Sequence, residues 1–321
     1  MRLLFFIPLF TLLLGQQPNK YLQGIESREK NMDVTDRKYG DHNGNRIFNR
    51  FYNFGGIGDA GGSLSGIYPF GSGHSYFYEF TPVIAASVID TNGNRVHIVS
   101  DGAVGLKDNS PQGYQWGFEP LTGYANPNQE IMAMSDKDFT WPETWPNRDS
   151  DWDGFWNGQY GKYVRADQES YFVMDDYYND EFSHFPDSTD FDVVPKRRSG
   201  IGVELECRIY QWNHPAAEDI IIVTYWITNV GTSRLDSVIF GMYGDADIGS
   251  TNGDYTDDDA WFDVENDIVY QWDHDGWSNA DGGFKPVYFG WSFLESPGNP
   301  HDGIDNDDDG MIDESQFDGI D

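Results

Sequence analysis

A single cysteine, Cys207, occurs in the 321 residues, so no disulfide can form within the chain. Basic residues are also scarce, with 20 Lys and Arg against 54 Asp and Glu and a net charge of −34. That balance argues against nucleic acid or an anionic membrane surface as a partner, because both would be repelled. Long apolar runs are missing beyond the first 15 residues, and no segment reaches the roughly 20 residues of a membrane-spanning helix. The common catalytic signatures are missing too. His42, His74, His97, His184, His214, His274 and His301 are scattered, with no H-E-x-x-H, which disfavours a zinc hydrolase. There is no G-x-S-x-G elbow, P-loop or G-x-G-x-x-G. A pair of facing carboxylates would suit a glycosidase, but spacing alone singles none out. The expectation is a protein without an active site.

What the chain does have begins at its N-terminus. Arg2 precedes an apolar stretch from Leu3 to Leu14, and Gly15 offers a small residue before polar Gln16-Gln17. Residues 1–15 therefore read as an export signal, with a buried N-terminal strand or helix as the alternative. No cysteine lies nearby to carry a lipid anchor. Secretion to the medium or the cell surface is expected, and residues 16–45 read as a flexible polar leader.

The 11 Trp, 19 Tyr and 22 Phe compensate for a modest apolar content of 38%. Each aromatic ring buries a large area, so a core remains attainable. Glycine (36) and proline (15) imply many turns and little helix. Residues 46–195 read as β-rich and loop-rich. Within them, Tyr76–Phe80 and Val83–Ile89 give strand signals, a turn at Asp90–Asn94 follows, and Arg95–Ser100 returns as a strand. Trp141, Trp145, Trp152 and Trp156 fall in a long stretch with no helical period, expected to pack on its own aromatics.

Residues 196–296 carry the most regular pattern. Ile201, Val203, Leu205, Cys207 and Ile209 alternate with polar residues, which predicts a half-buried strand and makes Cys207 a small core residue. Asp219–Thr228 is almost continuously apolar at its centre and predicts a strand covered on both faces. Leu235–Tyr243 is expected as a third strand, antiparallel through a short turn. Val264–Gln271 and Val287–Leu294 supply two more. The predicted class is mainly β, as one or more antiparallel β-sandwiches with long aromatic and glycine-rich loops; 46–195 and 196–296 form either two units or one.

The chemistry concentrates in residues 297–321. From Asp305 the chain reads D-x-D-x-D-G-x-x-D. Ca²⁺ takes six to eight oxygens at about 2.3–2.6 Å, and a loop wound round the ion turns every second side chain inward. Asp305, Asp307 and Asp309 fit that rhythm, and Gly310 allows the sharp turn at the sixth position. The backbone carbonyl of Met311 can then point inward, and Asp313 closes the ring directly or through water. An EF-hand would end in Glu at the twelfth position, where this chain has Gln316, and nearby Pro297 and Pro300 oppose a flanking helix. The ladder is thus a loop-type calcium site in an acidic linker. Asp318-Gly-Ile-Asp321 repeats Asp302-Gly-Ile-Asp305, so a second repeat and further modules are expected beyond it.

Two lesser carboxylate groups stand beside it. Asp149, Asp151, Asp153, Gly154 and Asn157 share the ladder spacing, although the tryptophans between them favour packing. Asp245, Asp247, Asp254 and Asp257–Asp259 follow a strand end and suit a cation between β loops, or a solvated loop.

The Asp305–Asp313 motif resembles the aspartate-rich calcium repeats of thrombospondin type 3 arrays. Together with Asn49–Gly56, Tyr68–His74, Ala166–Phe172, Thr228–Gly231 and Gly244–Gly249, it is similar to large secreted bacterial surface proteins carrying such repeats. The resemblance implies a β-rich structural or adhesive role at the cell surface. It supplies no catalytic residues. Polysaccharide and other surface proteins are the further partners considered, with carbohydrate binding as the alternative function. A row of exposed tryptophans on one sheet face would favour sugar binding, whereas uniformly buried tryptophans would oppose it.

Overall fold

The computed structural model describes residues 3–11, 36–60, 64–89, 93–103, 117–177, 183–184, 198–230, 235, 237–249 and 256–294. The fold is mainly β. In chain order the strands are β1 (Leu3–Thr11), β2 (Tyr39–His42), β3 (Asn49–Tyr52), β4 (Phe77–Ile89) and β5 (Arg95–Asp101). There follow β6 (Glu119–Pro120), β7 (Gln168–Asp175), β8 (Ser183–His184), β9 (Arg198–Ser199) and β10 (Val203–Gln211). The last are β11 (Ile220–Asn229), β12 (Ile239–Ala246), β13 (Asp258–Asp263), β14 (Ile268–Asp273) and β15 (Tyr288–Ser292).

Eight strands form one sheet in the order β13-β14-β15-β1-β11-β10-β7-β6, and β12-β4-β5 form a second. Their facing sides build one apolar core. Phe77, Phe80, Ile84, Ala86 and Val88 of β4 and Ile98 of β5 meet Val203, Leu205, Cys207 and Ile209 of β10 and Ile221, Val223, Tyr225 and Ile227 of β11. This is sandwich packing, and its source is the two-residue period of the strands. In β10 the core residues alternate with Glu204, Glu206, Arg208 and Tyr210, as the sequence pattern implies. The hairpin expected around residues 90–94 is present as antiparallel β4 and β5, although residues 90–92 lie outside the described residues.

The other face of the large sheet is covered near β7. Every residue of β7 is buried. Phe172 and Met174 face the main core, while Tyr171 and Val173 face a second cluster with Leu121, Ala133, Trp145 and Trp156. The aromatic stretch around 141–156 therefore forms a lid over the sheet. Trp156 Nε1 donates to Glu169 Oε2 at 2.7 Å, satisfying the indole where it is buried.

The structure departs from the sequence expectations at several points. The strand expected at 235–243 is β12, and it pairs with β4 in the opposite sheet rather than with β11. Both edges of β11 are already taken, by β10 and β1. Val264–Gln271 is divided between a turn and β14. Val264 is 77% exposed, and Asp263 ties the turn by accepting from Glu265 N at 3.0 Å and Asn266 Nδ2 at 2.8 Å. Of the stretch 16–45 read as a flexible leader, residues 36–45 are described and are held in the fold: β2 pairs with β3, and His42 is fully buried with Nε2 2.9 Å from Ser170 Oγ. Strands from 46–195 bond directly to strands from 196–296, β4 with β12 and β7 with β10. Leu3–Thr11, read as the apolar part of an export signal, lies as β1 parallel to both β11 and β15.

A candidate metal centre at the end of the β13–β14 hairpin

β13 and β14 pair in antiparallel register, which sets the first residue of one against the last residue of the other: Asp258 faces Asp273. Asp257 lies just before this pair, and Asp275 just after it. One carboxylate oxygen from each of Asp257, Asp273 and Asp275 lies within 4.8 Å of the others. Asp273 is only 4% exposed. Its Oδ1 accepts from Trp277 N at 2.9 Å. Its Oδ2 is buried and has no hydrogen-bond donor among the described residues; the same holds for Asp257 Oδ1, Asp258 Oδ1 and Gln271 Oε1. Gln271 lies on the same sheet face as Asp273, two residues along β14. The grouping thus gathers buried acceptors that meet no donor among the described residues. Each such oxygen costs about 1–3 kcal/mol if left unmet, and more when charged.

Protons are one remedy. Burial pushes the Asp258 carboxyl up to about 7, and the charges of Asp247, Asp273 and Asp257 add to it against an opposing hydrogen bond from Ile248 N. Burial pushes Asp247 up to about 6, with Asp245 adding repulsion. Asp273 is also raised, first by burial and further by Asp257 and Asp275, although amides of Trp277 and Gly276 oppose the shift. A cation is the other remedy, since it satisfies the oxygens and the charge together.

The 244–249 strand end closes one side. Ile248 N donates to Asp258 Oδ2 at 2.8 Å, and Ser278 Oγ donates to the Gly249 carbonyl at 2.5 Å. Gly249 has φ of +101°, and a Cβ there would sit 2.8 Å from Ser278 Cβ and 3.6 Å from Asp273 Oδ2. The wall is therefore built for glycine.

Asp257, Asp273 and Asp275 can hold a metal ion. The donors are oxygen atoms, which suits a hard cation; His274 Nδ1 is engaged 2.6 Å from Asp259 Oδ2, so the set lacks the nitrogen and sulfur typical of zinc. The sequence reading reached Asp245, Asp247 and Asp257–Asp259 but missed Asp273 and Asp275. Asp273-His-Asp275-Gly276 is itself a short D-x-D-G signal. What joins it to Asp257 is strand register, which no local motif encodes.

The other carboxylate groups fare differently. Asp305, Asp307, Asp309, Met311 and Asp313 lie outside the described residues, as does Asp254. The ladder at 149–157 is not a cage: Asp151 pairs with Lys162 at 2.7 Å, and the Asn157 side-chain oxygen accepts from Arg148 Nε at 2.7 Å. An oxygen turned to a guanidinium does not face a cation.

No protein-family model, no curated protein and no solved structure matches this chain.

Proposed function

We propose that this chain is a secreted or cell-surface β protein of structural or adhesive role, ordered by Ca²⁺. The observation that carries the reading is the set of buried oxygens of Asp257, Asp258, Gln271 and Asp273 at the hairpin end that meet no donor among the described residues. Calcium suits them because it accepts irregular shells of carboxylate and carbonyl oxygens, whereas Mg²⁺ demands a strict octahedron and keeps its waters. In this proposal the ladder Asp305, Asp307, Asp309, Met311 and Asp313 takes a second ion and stiffens the acidic linker. Binding to the folded form alone stabilises it by mass action.

The test is calcium titration of the full chain by calorimetry, paired with thermal unfolding in Ca²⁺, Mg²⁺ and chelator. The double variant Asp273→Asn/Asp275→Asn is expected to lose one class of sites, and Asp307→Asn/Asp309→Asn another. A midpoint indifferent to chelator in the parent protein defeats the calcium reading. Export is tested by N-terminal sequencing of protein recovered from the medium, with a start near Gln16 expected. Retention of Met1 would instead make Leu3–Thr11 a permanent strand.

A further inference from the structure

The same hairpin presents a second surface. In antiparallel register, directly opposed residues share a face. Trp261 opposes Tyr270, and Asp259 opposes Trp272. On the neighbouring strand Tyr270 opposes Gly290, which places Tyr288 on the same side, two residues back. Phe289 and Trp291 of β15 point the other way, into the core against Phe80. The four rings of Trp261, Tyr270, Trp272 and Tyr288 therefore stand on the outer face, and none belongs to either apolar cluster.

Three of them form a continuous plate. Ring centroids are 5.6 Å apart for Tyr270 and Trp272, 5.7 Å for Trp272 and Tyr288, and 6.0 Å for Tyr270 and Tyr288. Trp272 is tilted by 35° to Tyr270 and by 32° to Tyr288, and Tyr270 by 55° to Tyr288, so the three rings are inclined to one another rather than coplanar. Gly290 contributes no side chain above Tyr270; a Cβ there would come within 3.2 Å of Tyr270 Cβ. Trp261 extends the plate toward the sheet edge and is 62% exposed. Asp259 and Asp263 share this face, and β13, β14 and β15 contain no lysine or arginine.

We propose that this plate binds a neutral polysaccharide. A sugar ring offers an apolar C–H face and a rim of hydroxyls. Aromatic faces match the former through dispersion and the ring quadrupole. Carboxylates at the margin accept from the latter as charge-assisted hydrogen bonds. The charge selects among glycans: the carboxylates of Asp259 and Asp263, with no lysine or arginine in β13, β14 or β15 and a net charge of −34 on the chain, repel uronic-acid, sulfated and phosphorylated polymers. The binding does not rest on the cation site, since no ring of the plate supplies a metal ligand.

Affinity electrophoresis of the full chain tests this, in native gels containing hydroxyethylcellulose, xylan, galactomannan or laminarin, with polygalacturonate as the acidic comparison. Retardation is expected in at least one neutral glycan and not in polygalacturonate. Trp261→Ala, at an exposed edge position, should weaken binding at least tenfold, as should Trp272→Ala. Phe155→Ala, an exposed aromatic elsewhere that is 50% accessible, should leave it unchanged. Absence of retardation in every neutral gel overturns the proposal, as does equal retardation in polygalacturonate or indifference to both tryptophan variants. Gels run with calcium and with chelator keep the two sites apart, because a failed plate leaves the calcium titration unaltered.

Discussion

Asp258 and Asp273 face one another across the β13–β14 ladder, one the first residue of its strand and the other the last. Direct opposition of like charges weakens a sheet. Here it is compounded by burial, which withdraws the solvent that would screen them. A proton or a cation at this end of the ladder would relieve that repulsion.

That gives a pH dependence with a definite sign. The folded-state pKa of Asp258 is raised from 3.8 to about 7, so between those values the folded protein binds more protons than the unfolded chain. Stability from this group is therefore present at low pH and lost as pH rises towards about 7. On the calcium proposal, the ion would compete with the same protons. The rise in unfolding midpoint on adding calcium should be small at pH 5, grow through pH 6 and 7, and level off by pH 8. A calcium effect that is constant over this range would contradict the assignment of Asp258 to the site.

Asp258→Asn should act in opposite directions with and without the ion. In chelator at pH 7.5 it removes a buried charge and raises the midpoint. In calcium it removes a ligand or near neighbour of the ion, and the calcium-induced gain should fall by about 1.4 kcal/mol for each tenfold loss in affinity. Differential scanning calorimetry under both conditions reads the crossing. A variant that is destabilised equally in both would mark Asp258 as a plain structural residue.

Arg208 is a buried cation of another kind. It is 1% exposed, lies 4.0 Å over the Tyr171 ring, reaches Glu206 Oε1 at 3.2 Å and donates to the Asn157 carbonyl. It thereby ties β10 to the aromatic lid. Arg208→Ala should cost about 3 kcal/mol in urea unfolding, because it strands these partners. Arg208→Lys should recover less than half of that, since an ammonium lacks the planar fork and the stacking face.

Cys207 should be chemically silent in the native protein. It is fully buried, and burial pushes its thiol well above the usual range despite an opposing hydrogen bond from Tyr225. Reaction with an aromatic disulfide reagent at pH 8 should proceed only as fast as global unfolding, and addition of urea past the midpoint should release it at once. Fast labelling in the native state would place Cys207 nearer the surface than β10 allows.

The β class, the alternation of β10, the core role of Cys207 and the β4–β5 hairpin were legible in the sequence, because strand period and turn residues are local properties. The acidic character of the hairpin end was half legible, through Asp257–Asp259. Partner choice was not: β12 pairs with β4 in the opposite sheet while β11 pairs with β10 and β1, and a strand's sequence does not record which edge it will meet. The tryptophans within 149–157 already favoured packing over a metal cage in the sequence, but the partners that occupy its oxygens, Arg148 for Asn157 and Lys162 for Asp151, are set by the fold.

By itself the sequence determined the composition of this protein's chemistry: a large excess of carboxylates, many aromatic rings, one thiol and few cations. Tertiary structure decided which of these meet. Register set Asp258 against Asp273 and gathered Asp257 and Asp275 beside them, and the same register turned Trp261, Tyr270, Trp272 and Tyr288 to the opposite face. The physical reason is that a strand alternates its side chains between two faces, so the pairing of β13 with β14 and of β14 with β15 sets Asp258 and Asp273 on one face and the aromatic plate on the other.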